Sequence, residues 1–261
     1  MTLENGASVG LLRYLRRNAE ANVYPLCQVL RRHQVRMWRL ESTEQSIVGA
    51  LVEGGQQLVP FVPDTWLVAE DIDACERLLD LAVALQLTGT LSVPSRFGSL
   101  LSRSGLGGGA EKHFVSSRQC IARTVADAGI VWLTRPVLNG LTLGPSMLRL
   151  TGSAQNFPEP SGYLAVVMQR EVVALLEAGV ATPDAIAVQQ MYVEPQWRRL
   201  GVATSLLGAL CQCAVRKGRK VTYITESMNM AALAMVGRAG FELIDERITL
   251  ELHPDRAAAR E

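Results

Sequence analysis

The segment Met191-Tyr192-Val193-Glu194-Pro195-Gln196-Trp197-Arg198-Arg199-Leu200-Gly201-Val202-Ala203-Thr204 concentrates the readable chemistry of this chain. A strand pattern ends at Val193, a Pro-containing turn reverses the chain, and a helix pattern starts at once. Between them stands Arg198-Arg199-Leu200-Gly201-Val202-Ala203, a basic residue followed after two positions by glycine and then by a small residue. A helix N-terminus presents unpaired backbone N–H groups and about half a positive charge, which suits a pyrophosphate. Gly201 has no Cβ to hold phosphate oxygens away from the backbone, and Ala203 keeps the next approach small. The two guanidinium groups add charge-assisted hydrogen bonds. Alone, the same six residues also describe an ordinary helix start with two solvated arginines, so their meaning rests on their surroundings.

Those surroundings follow a regular order. Apolar runs at 163–168, 172–176 and 185–193 predict three strands, with Gln169-Arg170 as the first turn and Glu194-Pro195 ending the third strand. Over 202–217, Val202, Leu206, Leu207, Leu210 and Ala214 form the buried stripe of a helix, and Gly218 stands where a C′ glycine belongs. A buried strand at 221–225, a helix at 229–239 ended by Gly240, and a strand-rich 241–252 complete the order.

This arrangement resembles the acetyl-CoA motif of the GNAT acetyltransferase family, and the likeness extends beyond the loop. The strand ends in Met191-Tyr192-Val193-Glu194-Pro195. Asn229-Met230-Ala231-Ala232 opens the later helix as the family's Asn-x-x-Ala does, and Gly240-Phe241 closes it. The resemblance implies an α/β (α+β) fold with a mixed central sheet flanked by helices. It implies that the backbone of Met191, Tyr192 and Val193 pairs with pantetheine amides, as an added strand would. It further implies that N–H groups of Arg199, Leu200, Gly201, Val202, Ala203 and Thr204 hold the pyrophosphate beside Arg198, and that Asn229 fixes the pantetheine arm. For Asn229 a helix N-cap is the plainer role, and the two are compatible.

The chain departs from the family where catalysis would be expected. Many members carry a tyrosine four residues before Gly-Phe as the acid for the leaving thiolate, and that position is Val236. The 185–193 strand holds no carboxylate. Glu177, at the end of the preceding strand pattern, is the candidate for a water-mediated base, against a plain solvated carboxylate. Tyr192 and Tyr163 are alternatives, and both also read as packed aromatics. The expected activity is acetyl transfer from acetyl-CoA to a primary amine of a small molecule or peptide, with no metal. A non-catalytic acyl-CoA sensor is the competing class.

Residues 1–125 read as a divergent N-terminal α/β domain and 126–261 as the catalytic domain. Leu11, Leu15, Ala19, Val23, Leu26 and Leu30 predict a helix over 9–30, kinked or divided at Pro25. A short strand follows at 35–40. The runs 47–52 and 58–62 flank Gly54-Gly55 and predict a hairpin. A helix at 71–87 opens on acidic residues, and a short strand lies near Leu91. The Gly- and Ser-rich 102–112 reads as a flexible loop, since it lacks the Gly-Lys-Ser/Thr ending of a phosphate-cradling loop. An apolar segment follows at 117–128, a strand at 131–134, a short helix at 145–150 and a loop at 152–162. The N-terminal half resembles the region that precedes the catalytic domain in two-domain members of the family. It lacks the glycine loop, so no second cofactor site is expected there, and its expected work is to wall the acceptor cleft or form a dimer surface.

Composition sets the outer bounds. With 48% hydrophobic and 20% charged residues, the chain can build ordinary cores for two domains. A formal net charge of +1 gives no global field for nucleic acid or an anionic membrane. Five cysteines and three histidines in scattered positions predict reduced thiols and no zinc site. Cys211 and Cys213 point to different faces of one helix. The N-terminus lacks the marks of a secretory signal and no run approaches the ~18 apolar residues of a membrane span, so a cytoplasmic protein is expected.

Overall fold

In the computed structural model the described residues are 2–4, 8–31, 35–44, 46–54, 64–103, 108–116, 129–144, 147 and 162–252. They fall into two units: residues 1–112 with 245–261, and residues 113–244.

The first unit contains β1 (Thr2–Glu4), α1 (Val9–Arg16), α2 (Val23–Arg31), β2 (Arg36–Glu41), β3 (Ile47–Glu53) and β4 (Thr65–Ala69). It continues through α3 (Ile72–Ala84), β5 (Gly89–Pro94), a 3₁₀ turn at Ser95–Phe97, α4 (Gly98–Arg103) and the start of β6 (Gly108–Ser116). Strands β1 to β4 pair antiparallel, and β5 joins β4 in parallel. The last strand, β13 (Phe241–Leu252), pairs antiparallel with β5 from Arg247 to Leu252. Leu51, Leu67, Leu91, Val93 and Leu250 form a core with Ala74, Cys75 and Leu78 of α3 and Leu101 of α4. Burial in it pushes the Cys75 thiol up to about 12, despite the opposing Arg247 and Arg96. Helices α1 and α2 pack on β3, where the Tyr14 hydroxyl donates to Val48 O. Tyr24 stacks on Trp66 at 5.5 Å between ring centroids.

Three expectations for this half need correction. The first helical segment does divide, but at residues 17–22 and not at Pro25, which sits in the first turn of α2 where no N–H is needed. Asn18 and Asn22 make the break: Asn18 Oδ1 accepts from Ala21 N at 3.4 Å, and buried Asn22 donates to Leu15 O at 3.0 Å. The strand at 47–53 forms, yet its described partners are β2 and Thr65–Ala69. The run 58–62 lies outside the described residues. Within 102–112, Gly108 to Lys112 belong to a strand and not a loop, because backbone pairing asks nothing of a side chain.

The second unit contains the end of β6, β7 (Ile130–Leu133), α5 (Arg135–Asn139), β8 (Thr142–Leu143), β9 (Gly162–Met168), β10 (Glu171–Ala181) and β11 (Ala185–Val193). Then come a 3₁₀ turn at Pro195–Trp197, α6 (Val202–Val215), β12 (Lys220–Glu226), α7 (Met230–Arg238) and the start of β13. Its strand order is β12-β11-β10-β9-β7, with β8 on β10. Gln169 and Arg170 both take positive φ, the tight primed turn that matches the twist of the β9–β10 hairpin. On one face Leu164, Val166, Leu176, Ile186 and Val188 pack on Leu206, Leu207 and Leu210 of α6 and on Met235 and Val236 of α7. On the other, Tyr163, Ala165, Val172 and Leu175 pack with Leu138 of α5 and Met147. The stripe expected for α6 is buried throughout, and Gly218 ends the helix at φ +67. The segment 117–128 and nearly all of 145–150 and 152–162 lie outside the described residues.

The two units repeat one order of elements. A meander (β2-β3-β4; β9-β10-β11) leads to a helix (α3; α6) and then to a strand parallel to the last of the meander (β5; β12).

Candidate active site

The site begins with a strand pair that stops early. β11 and β12 pair in parallel at Ala185↔Lys220, Ile186↔Val221, Ala187↔Thr222 and Val188↔Tyr223, and no further. β11 nevertheless continues to Val193, held on its other side by β10 through Leu176↔Met191, Leu175↔Tyr192 and Ala174↔Val193. Residues 189–193 are half-buried, whereas 185–188 are buried. Irregularities on either side of Ala178 in β10 coincide with the divergence, as extra residues bend and twist a strand. The Gln189 amide lies over Gly179, where a Cβ would meet its Oε1 at 1.4 Å. The result is a gap at the carboxyl ends of two parallel strands, flanked by a free backbone edge of β11.

The loop beyond Val193 closes over this end. Glu194 N donates to Val173 O at 3.0 Å, and Trp197 N donates to Glu194 O at 2.8 Å. Arg198 Nε donates to Val193 O at 2.9 Å, and its guanidinium lies 5.5 Å from the centre of the Tyr192 ring. Arg199 takes φ +62, a conformation that a non-glycine residue adopts at some cost, and Gly201 takes φ +82. Nothing stands within 4 Å of a Cβ added at Gly201, so its exposed surface is open.

The start of α6 differs from those of α1, α3 and α7. Ser8 caps α1, Asp71 caps α3 and Asn229 caps α7, each through a side-chain oxygen bonded to a backbone N–H. α6 has Gly201 at the cap position, no side-chain cap and no acidic residue in its first turn. Its first N–H groups, from Val202 to Thr204, are left for solvent or an anion.

The other residues singled out are placed as follows. Asn229, exposed just beyond the carboxyl end of β12, accepts from Ala232 N through Oδ1 at 3.1 Å, and its amide N–H₂ makes no hydrogen bond among the described residues. Val236 is completely buried in the core beneath α6 and α7. Glu177 is buried, opposite Tyr163 on β9 and Gln190 on β11, on the sheet face away from α6. Tyr223, which sequence reasoning did not single out, stands in the last β11–β12 pair, and burial pushes its phenol up to about 12. Its only sequence signal is an aromatic residue within a strand, which says nothing of where a neighbouring strand departs.

The equivalent place in the first unit is built differently. β4 and β5 pair only at Thr65↔Leu91 and Trp66↔Ser92. There Arg247 Nη2 donates to Leu67 O at 2.6 Å and to Ser92 O at 3.0 Å, and Arg96 donates to Ala69 O. The helix that follows begins with Glu70, Asp71 and Asp73, and the Asp71 carboxylate already occupies the Ala74 N–H. Carbonyls that would face a ligand are taken by arginine, and the helix start repels an anion.

Comparison with known proteins agrees with this geometry. Residues 142–241 match the acetyltransferase (GNAT) family model. No curated protein matches the sequence significantly. Among solved structures, a tandem GNAT protein from the clavulanic acid biosynthesis pathway is 15% identical over 97% of this chain and 99% of its own, with a TM-score of 0.56. A GCN5-related N-acetyltransferase from Kribbella flavida is 15% identical over 94% of this chain and 96% of its own, with a TM-score of 0.59. A GNAT-family acetyltransferase from Colwellia psychrerythraea is 12% identical over 97% and 100%, with a TM-score of 0.54. At these identities the likeness is one of fold, and it extends over both units. The free strand edge, the uncapped helix start and the family match coincide in one segment, and the chain therefore carries an acetyltransferase domain of the GNAT family over residues 142–241.

Proposed function

We propose that the chain transfers an acetyl group from acetyl-CoA to a primary amine within a ternary complex. The observation that carries this reading is the β11–β12 gap leading directly to an uncapped helix start at Gly201. In this reading the backbone of Met191, Tyr192 and Val193 pairs with the pantetheine amides. Arg199 to Thr204 receive the diphosphate, with Arg198 steadying the strand end through Val193 O. The Asn229 amide N–H₂ donates to the arm from the opposite side of the gap.

Bound acyl-CoA would present a thioester to the amine, and the protein's part is chiefly to hold the two together. Glu177, buried on the face away from α6, is the base we assign to accept the amine proton through water. Among the described residues no group of three or more His, Cys, Asp or Glu side chains is placed to hold a metal, and the proposed reaction needs none. No described helix is long and apolar enough to cross a membrane. A small-molecule or peptide amine is the proposed acceptor, in the cytoplasm.

A second reading, a non-catalytic acyl-CoA sensor, is favoured by the burial of Val236 where a proton donor would be expected. Calorimetric titration with acetyl-CoA tests what the two readings share, and absence of binding would sink both. Thiol release with any amine of a broad panel would then decide for transfer. Binding without release would decide for the sensor.

A further inference from the structure

We infer that Tyr223 donates the hydrogen bond that receives the departing sulfur, the role that Val236 cannot fill; this rests on the acyl-CoA reading above. Tyr223 pairs with Val188 in the last β11–β12 register pair, so it stands at the closed end of the gap. It packs against the same core cluster as Met191 and Val193, which places its ring on the α6–α7 face of the sheet, the face that also holds Val236. Among the described residues none hydrogen-bonds to its hydroxyl, and the residue is half-buried. Two other tyrosines of this unit are otherwise placed: Tyr192 lies under Arg198, and Tyr163, on β9, is buried on the opposite face.

Length places the reacting atoms near it. With the diphosphate at the start of α6, the pantetheine arm enters at the open end of the gap and runs along residues 189–193. Five strand residues span ~16 Å, comparable to an extended pantetheine arm, so the thioester reaches the Val188–Tyr223 end. There the amine nitrogen gives its lone pair to the carbonyl carbon, and the C–S bond breaks with its electron pair going to sulfur. The nitrogen releases one proton and the sulfur takes one up through solvent, so amine and thioester become amide and thiol. The Tyr223 O–H points its dipole at the sulfur while negative charge builds there. Burial keeps that phenol protonated far above the range of an ordinary thiol, near 8.5. It thus acts as a hydrogen-bond donor over the whole working pH range and does not surrender its proton.

The test needs no acceptor. CoA is bound to the full chain and to Tyr223→Phe, affinity and melting temperature are recorded, and the bound thiol is titrated by its thiolate absorbance against the desulfo-CoA complex. We expect equal affinities and a bound thiol whose pKa is about one unit higher in Tyr223→Phe, a tenfold change in ionisation. Equal affinity with an unchanged thiol pKa would overturn the role of Tyr223 and leave the acyl-CoA reading standing. Lost affinity in a variant that still melts normally would overturn it too, by making Tyr223 a binding residue. No CoA binding by the native chain would overturn the reading and this inference together.

Discussion

In the proposed reading, a single glycine decides whether the loop before α6 can accept the diphosphate. At φ +82 Gly201 holds a conformation that side chains rarely adopt, and the space beside it is open. A substitution there strains the loop and fills the approach to the N–H groups of Val202 to Thr204. We predict that Gly201→Glu, which also sets a carboxylate at the proposed diphosphate position, abolishes acetyl-CoA binding. The chain should still fold, because the side chain meets no neighbour. Calorimetric titration beside a melting curve checks both halves. Undiminished affinity would show that the diphosphate binds elsewhere. Arg198 and Arg199, adjacent in sequence, do different work: one holds Val193 O, and the other is exposed in a left-handed turn.

At the scale of elements, caps and contacts between neighbouring strands set how firmly the gap is framed. α7 has nine residues, and its Asn229 cap satisfies an N–H that would otherwise be orphaned. Asn229→Ala should cost about 1 kcal/mol of stability in denaturant unfolding. By the proposed contact to the pantetheine arm, it should also weaken acetyl-CoA binding severalfold. A variant that loses stability and keeps its affinity would reduce Asn229 to a cap. In β7 the Trp132 ring lies against Gly162 of β9, where a Cβ would fall 1.9 Å from the ring. Gly162→Ala must therefore displace an indole that is half exposed, and should destabilise the chain by about 1–3 kcal/mol. That penalty should largely vanish in a Trp132→Ala background, a coupling that a double-mutant cycle measures.

At the scale of the whole molecule, the two units share an order of elements, but the place that corresponds to the proposed site is built differently in the first. Arg247 and Arg96 take the carbonyls of the first unit's β4 and β5, and acidic residues open α3. We predict one acetyl-CoA per chain in titration; a stoichiometry of two would show that the arginines yield to the cofactor. The first unit also depends on the end of the chain. Leu250 is completely buried in its core, and Arg247, almost completely buried, sits 4.9 Å from the centre of the Trp66 ring. Removing residues 245–261 therefore strips a strand and a buried cation from residues 1–112. It should expose residues 1–112 to limited proteolysis well before residues 113–244. Even digestion of both units would argue against that dependence.

Local chemistry alone made much of this legible. Strand and helix types across 163–252 follow from periodicity, the bounds of β11 from its apolar run and Glu194-Pro195, and the ends of α6 and α7 from glycines with positive φ. The glycine loop was recognisable because a helix start, a missing Cβ and two arginines lie within six residues. Whatever depends on which strand stops pairing with which was invisible. The early end of the β11–β12 ladder, the place of Tyr223 at its closed end and the arginine-filled gap in the first unit are examples. So is the return of residues 245–252 to β5: Arg247 and Ser92 meet although they stand 155 positions apart in the sequence. Side-chain types and spacings carry information over a turn or two of helix or the length of a strand. Register between distant strands is decided only when the cores on both faces of each sheet pack, so only the tertiary structure could settle it.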